Sequence, residues 1–147
     1  MKQFILFITG MILFVAASAN TDITETELKK EAGIEFHQGS WSEALKKAQQ
    51  EKKPVFLDVY ATWCGPCKML KARTFPNEEV GEFYNANFIN VAVDGEKGEG
   101  LELARKYKVR GYPTLLYIDS EGKVIAQTAG YRNPKQFIQI GEQVINR

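Results

Sequence analysis

Two runs of this chain are apolar at almost every position: Val55-Phe56-Leu57-Asp58-Val59-Tyr60-Ala61 and Phe88-Ile89-Asn90-Val91-Ala92-Val93-Asp94. Strand-forming side chains on both alternating sets mark strands that are covered on both faces. Helical spacing fills much of the remainder. Ser40-Trp41-Ser42-Glu43 opens one helix, with Trp41, Leu45 and Ala48 on a shared face, and Ser40 and Glu43 are placed to cap each other. Glu51-Lys52-Lys53-Pro54 ends it. Cys64 to Ala72 reads as a second helix. Asn77 caps a third over Glu78–Asn85, and Glu99 to Tyr107 forms a fourth with Leu101, Ala104 and Tyr107 toward the core. Thr114–Ile118 and Lys123–Thr128 read as a hairpin around Asp119-Ser120-Glu121-Gly122, where Gly122 is free to turn left-handed. Asn133-Pro134 starts the last helix, whose apolar positions are Phe137, Ile140, Val144 and Ile145. This order predicts an α/β domain: a central mixed sheet ending in an antiparallel hairpin, with helices on both faces.

The ends of the chain change the picture. Lys2 followed by an almost unbroken apolar run from Phe4 to Ala17, then Ala17-Ser18-Ala19, has the layout of a cleaved export signal over residues 1–19. The run is short for a membrane span, which needs about 20 apolar residues. Residues 20–39 form a polar lead-in, and residues 40–147 the one compact domain. The chain carries 19 basic and 18 acidic residues with no basic stripe, so nucleic-acid binding has no support. No dimerisation segment is evident and a monomer is expected.

Both cysteines of the chain lie in Trp63-Cys64-Gly65-Pro66-Cys67-Lys68, where the first strand gives way to a helix. A loop closed across two residues restrains the unfolded chain only weakly, so redox chemistry explains the pair better than a structural staple. First-turn N–H groups and the helix dipole favour thiolate at Cys64, the species that attacks a disulfide. Cys67, one turn on, is placed to resolve the resulting mixed disulfide. Pro66 rigidifies the loop, and Trp63 is either a contact surface or a core aromatic. Zinc is the competing chemistry. With His37 the sole histidine, a monomeric site lacks a fourth protein ligand, which leaves a dimer-bridged metal as the remaining metal route. No metal and no cofactor is expected, and His37 reads as a surface or packing residue.

Asp58 interrupts the first apolar strand, where a carboxylate is costly to bury. Burial and any nearby thiolate raise its pKa, fitting a group that takes the proton from Cys67. The alternative is an Asp58 turned to the sheet edge or capping a neighbour. Gly111-Tyr112-Pro113-Thr114 precedes another core strand, and a proline there is normally a liability. A cis Tyr112–Pro113 bond would turn the chain and leave Tyr112 backbone groups for an extended substrate.

Asp58-x5-Cys64-Gly65-Pro66-Cys67-Lys68, with Arg110-Gly111-Tyr112-Pro113-Thr114, resembles the thioredoxin family across roughly residues 40–145. Lys53–Ala61, Thr74-Phe75, Val80 and Gly130-Tyr131 are similar, more narrowly, to the thioredoxin-like C-terminal domain of bacterial transmembrane thiol:disulfide interchange proteins and to small secreted relatives. The resemblance implies a thioredoxin fold with Cys64 attacking, Cys67 buried and resolving, and Asp58 as the buried acid. It implies a cis Pro113 facing the site and a substrate groove formed by Trp63, Gly65, Pro66, Tyr112 and Pro113. Two departures stand out: Phe88–Asp94 holds no lysine to partner Asp58, and Tyr60 stands where typical thioredoxin has tryptophan.

The function expected is a periplasmic or otherwise exported thiol-disulfide oxidoreductase that reduces disulfide-bearing client proteins and is recharged by a membrane-bound electron donor. An oxidase or isomerase using the same site is the alternative, and a non-catalytic binding module on the same fold is a third reading.

Overall fold

The computed structural model describes residues 32–147. The export signal expected over residues 1–19, and the lead-in up to residue 31, lie outside the described residues.

The elements follow the expected order: α1 (Trp41–Glu51), β1 (Val55–Tyr60), α2 (Gly65–Met69), a π-helical turn (Leu70–Thr74), α3 (Glu78–Asn87), β2 (Ile89–Asp94), α4 (Gly98–Lys106), β3 (Thr114–Ile118), β4 (Val124–Ala129) and α5 (Pro134–Ile145). The sheet order is β2-β1-β3-β4. β1 and β2 run parallel, β3 is antiparallel to β1, and β3–β4 is the expected hairpin. Gly122 turns it at φ 87°. Short caps define the helices: Ser40 and Glu43 form the expected capping box on α1, Asn77 caps α3, and Asn133 with Gln136 closes a box on α5.

Alternation along the covered strands builds two cores. Val55, Leu57 and Val59 of β1, with Leu116 and Ile118 of β3, pack against Trp41, Ala44, Ala48, Leu103 and Ala104 of α1 and α4. The opposite set, including Phe56, Leu115 and Tyr117, packs against Val80, Tyr84, Phe137 and Val144 of α3 and α5. Helices therefore cover both faces, and the fold is the thioredoxin-like α/β arrangement. Phe56 centres the second core, edge-on to Tyr84 and Phe137, which stack on each other with centroids 4.2 Å apart. Tyr84 donates to the Phe137 carbonyl at 2.8 Å, leaving Tyr117 to donate to Tyr84 at 2.6 Å, so two buried hydroxyls are satisfied.

The expected core faces hold in α1 and α5, and the α4 face is shifted. In α4 the buried residues are Gly100, Leu103 and Ala104, whereas Leu101 is half-buried. A Cβ on Gly100 would strike the Asp94 carbonyl, so the glycine is what lets this face seat on the end of β2. α1 buries Trp41 and Ala48 as expected, adding Ala44 and leaving Leu45 half-buried against the core, and α5 buries Phe137 and Val144 as expected, adding Gly141 and leaving Ile145 40% exposed. The predicted helix from Cys64 to Ala72 is interrupted by the π-turn after Met69.

The register decides where the loops gather. Tyr60 pairs with Asp94 and Val59 with Thr114, so the ends of β1 and β2 and the start of β3 share one edge of the sheet. The segments after β1, after β2 and before β3 meet there, at the carboxyl ends of the parallel strands, where open α/β sheets form their sites.

Candidate active site

Cys64 and Cys67 are joined by a disulfide, with Cα atoms 5.3 Å apart. Cys64 is the N-cap of α2, not its first residue: its extended backbone leads into the helix, and its sulfur accepts the Cys67 N–H at 3.1 Å. Gly65 and Pro66 form the exposed first turn, where Pro66 removes an N–H that would have no helical partner. The helix end thus aims one donor, the Cys67 N–H, at the Cys64 sulfur. Cys67 faces inward as expected, but Cys64 is also covered, at 2% exposure against 7% for Cys67. Ala61, Tyr60 and Tyr112 pack with the two cysteines.

Asp58 lies in the middle of β1 on the side of the sheet that carries Phe56. It is 4% exposed, and its Oδ1 has no hydrogen-bond partner among the described residues. Burial pushes its pKa up to about 7. The sheet-edge alternative is excluded, because β1 is flanked by β2 and β3. Asp58 and Cys67 line one cavity of about 550 Å3, together with Phe36, Tyr60, Lys68 and Lys71. The strand neighbour opposite Asp58 is Ala92, which offers no charge and leaves space.

The Tyr112–Pro113 bond is cis. Pro113 is buried, and its carbonyl accepts the Gly130 N–H at 3.0 Å. The Tyr112 N–H and C=O make no backbone hydrogen bond among the described residues. Tyr112 and Pro113 border a shallow groove with Gln127, Ala129 and Gly130 of the β4 edge. Trp63 is 67% exposed, so it is surface and not core. Its ring meets Tyr112 edge-on, centroids 6.0 Å apart. Trp63, Gly65, Pro66 and Tyr112 therefore gather round the cysteines, Asp58 shares a cavity with Cys67, and Pro113 lines the neighbouring groove beside Tyr112.

Comparisons with known proteins agree with this geometry. The thioredoxin-like domain family matches residues 41–145. The chain belongs to that family. A thiol:disulfide interchange protein DsbD from Yersinia pestis is 37% identical over 95 residues, which is 63% of this chain and 16% of that protein. The chain thus spans less than a quarter of the length of the curated DsbD relatives it matches. A solved Bacteroides thetaiotaomicron protein, provisionally assigned as a disulphide-isomerase, is 40% identical, with a TM-score of 0.69 over 79% of this chain and 96% of that one. The C-terminal domain of Neisseria meningitidis DsbD, in its oxidised form, is 28% identical with a TM-score of 0.60, covering 76% and 98%. A paired Cys-x-x-Cys in this fold supports thiol-disulfide oxidoreductase chemistry.

Two contributors escape a reading of the sequence alone. The lead-in enters the site region: Phe36 bridges to Asn90 on the free edge of β2 and, with His37 and Gln38, walls the Asp58 cavity. Glu96 reads as solvated charge, yet both its carboxylate oxygens accept from Trp63 Nε1, at 3.2 and 3.1 Å. An acid two residues past a buried strand was the only sequence signal for it.

Proposed function

We propose that this protein is an exported disulfide reductase working through a Cys64 mixed disulfide. The observation that carries the reading is the pairing of an N-capping Cys64 with a buried, unpartnered Asp58 that shares a cavity with Cys67. In the reduced enzyme the Cys64 thiolate, supported by the Cys67 N–H and the helix end, attacks one sulfur of a client disulfide. The client's other sulfur leaves as thiolate. Cys67 then attacks Cys64, the Cys64–Cys67 bond forms, and the second client sulfur departs with the electron pair. Asp58 takes the Cys67 proton into the cavity as that attack begins. A carboxyl titrating near neutral pH suits the task, since it is partly ionised when a base is needed and is stabilised neutral by burial afterwards.

Trp63, Gly65 and Pro66 form the exposed rim on which a client lies, and the free Tyr112 backbone groups pair with its extended chain. Two electrons leave per client, so a dithiol donor must restore them. The DsbD relatives support a membrane-linked donor and a periplasmic setting. Gly65-Pro66, shared with typical thioredoxin, favours the reducing direction over an oxidase or isomerase. The test is trapping in cells with Cys67→Ser. Clients and donor should accumulate as mixed disulfides on Cys64 and disappear in Cys64→Ser, Cys67→Ser. Normal biological activity of that double variant would instead support a non-catalytic binding module.

A further inference from the structure

A thiolate reducing the oxidised protein must reach Cys64 sulfur, and Cys64 is 2% exposed. Tyr112 is packed on the cysteine pair, Trp63 stands edge-on outside Tyr112, and Glu96 holds Trp63 Nε1 through both oxygens. The base of this stack is fixed. The Gly95 N–H donates to the Tyr60 carbonyl at 2.8 Å, the Glu96 N–H to Asp94 Oδ1 at 3.0 Å, and the Lys97 N–H to the Asp94 carbonyl at 3.1 Å. Gly95 also makes room for the stack, since a Cβ there would lie 2.6 Å from Tyr112 Cε1. The segment after β2 therefore seats Tyr112 with one residue and braces Trp63 with the next.

We infer that Glu96 is a positioning and specificity-determining residue: by holding the Trp63 indole against Tyr112 it keeps Cys64 covered, and selects partners able to take over its carboxylate. The inference rests on exchange at Cys64 as proposed above. When the cover opens, the partner thiolate bonds to Cys64 sulfur, the Cys64–Cys67 bond breaks, and its electron pair leaves on Cys67. A partner protein carrying an N–H donor or a basic side chain beside its cysteine can occupy Glu96 and release Trp63. A small thiol brings no such group, so its rate reports spontaneous opening.

The experiment measures reduction of the oxidised full chain by dithiothreitol in stopped flow, with thermal unfolding as the control for folding. Glu96→Ala should reduce about 3- to 10-fold faster, the range expected for losing one charge-assisted but exposed hydrogen bond. Glu96→Gln, which retains an acceptor, should fall nearer the wild type. Trp63→Phe removes the N–H and keeps the ring, so adding Glu96→Ala to it should give no further acceleration, and native tryptophan emission should shift in Glu96→Ala. A natively folded Glu96→Ala that reduces at the wild-type rate overturns the inference, as does an undiminished Glu96→Ala effect in the Trp63→Phe background. A wild-type disulfide that dithiothreitol cannot reduce would sink the exchange reading itself.

Discussion

In the proposed mechanism Asp58 is the residue on which chemistry and stability pull in opposite directions. Its folded pKa, about 7, lies above the ordinary value of 3.8 because burial disfavours the charge. Between those values the unfolded chain has lost the proton while the folded chain keeps it. Stability therefore falls as pH rises from about 4 to 7 and levels off above, a total cost of about 4 kcal/mol at most. Asp58→Asn should remove that slope and leave the oxidised protein more stable at pH 8 than the wild type, as read by urea unfolding at pH 4.5 and 8. The same substitution should slow resolution of the Cys64 mixed disulfide by about 10²-fold, the lower end for a lost general base, and flatten its pH dependence near 7. Unchanged resolution across pH would remove Asp58 from the mechanism. The buried Asp58, the Cys64–Cys67 pair and the cis bond at Pro113 were legible in the sequence because each is a residue out of place: an acid in an apolar strand, the chain's two thiols, a proline entering a core strand. Glu96 was not, since nothing local distinguishes it from the solvated charges around it.

At the level of elements, the short α2 and the lead-in do the most for the site. α2 turns Cys64 into a cap whose sulfur already accepts a helix-end N–H. The lead-in is tied down by Ile34 N–H to the Phe75 carbonyl and by His37 N–H to the Asn90 carbonyl, both at 2.8 Å. It also rests on α3, where a Cβ at Gly81 would collide with the Gly33 backbone. Gly81→Ala should lift this segment, costing about 1–3 kcal/mol in chemical denaturation. It should also admit water to the Asp58 cavity, so that the Asp58 pKa moves down toward 3.8. The polar lead-in carries no strand pattern, and it becomes visible only as a single bridge to the edge of β2. Helix existence was legible from period and caps, and so was the buried face of α1 and α5; that of α4 was not. Gly100 moved the α4 face because backbone contact with Asp94 outweighs the placement of one more leucine.

For the whole molecule, the β2-β1-β3-β4 order is what makes a site out of scattered segments. Parallel pairing puts Tyr60 beside Asp94, and antiparallel pairing puts Val59 beside Thr114, so the cysteine turn, the Glu96 segment and Tyr112 converge at one edge. Alternating apolar strands and amphipathic helices announced the α/β class, and the Cys-Gly-Pro-Cys and Tyr-Pro segments the family. Long-range neighbours such as Ala92 opposite Asp58 depend on register, which a single chain does not spell out. We propose that this assembly runs as a reductase, with Cys64–Cys67 a reducing couple. Equilibrium titration of the oxidised full chain against glutathione measures that directly. The predicted potential is near that of thioredoxin, about −270 mV, and a value near the about −120 mV of strong periplasmic oxidants would contradict it.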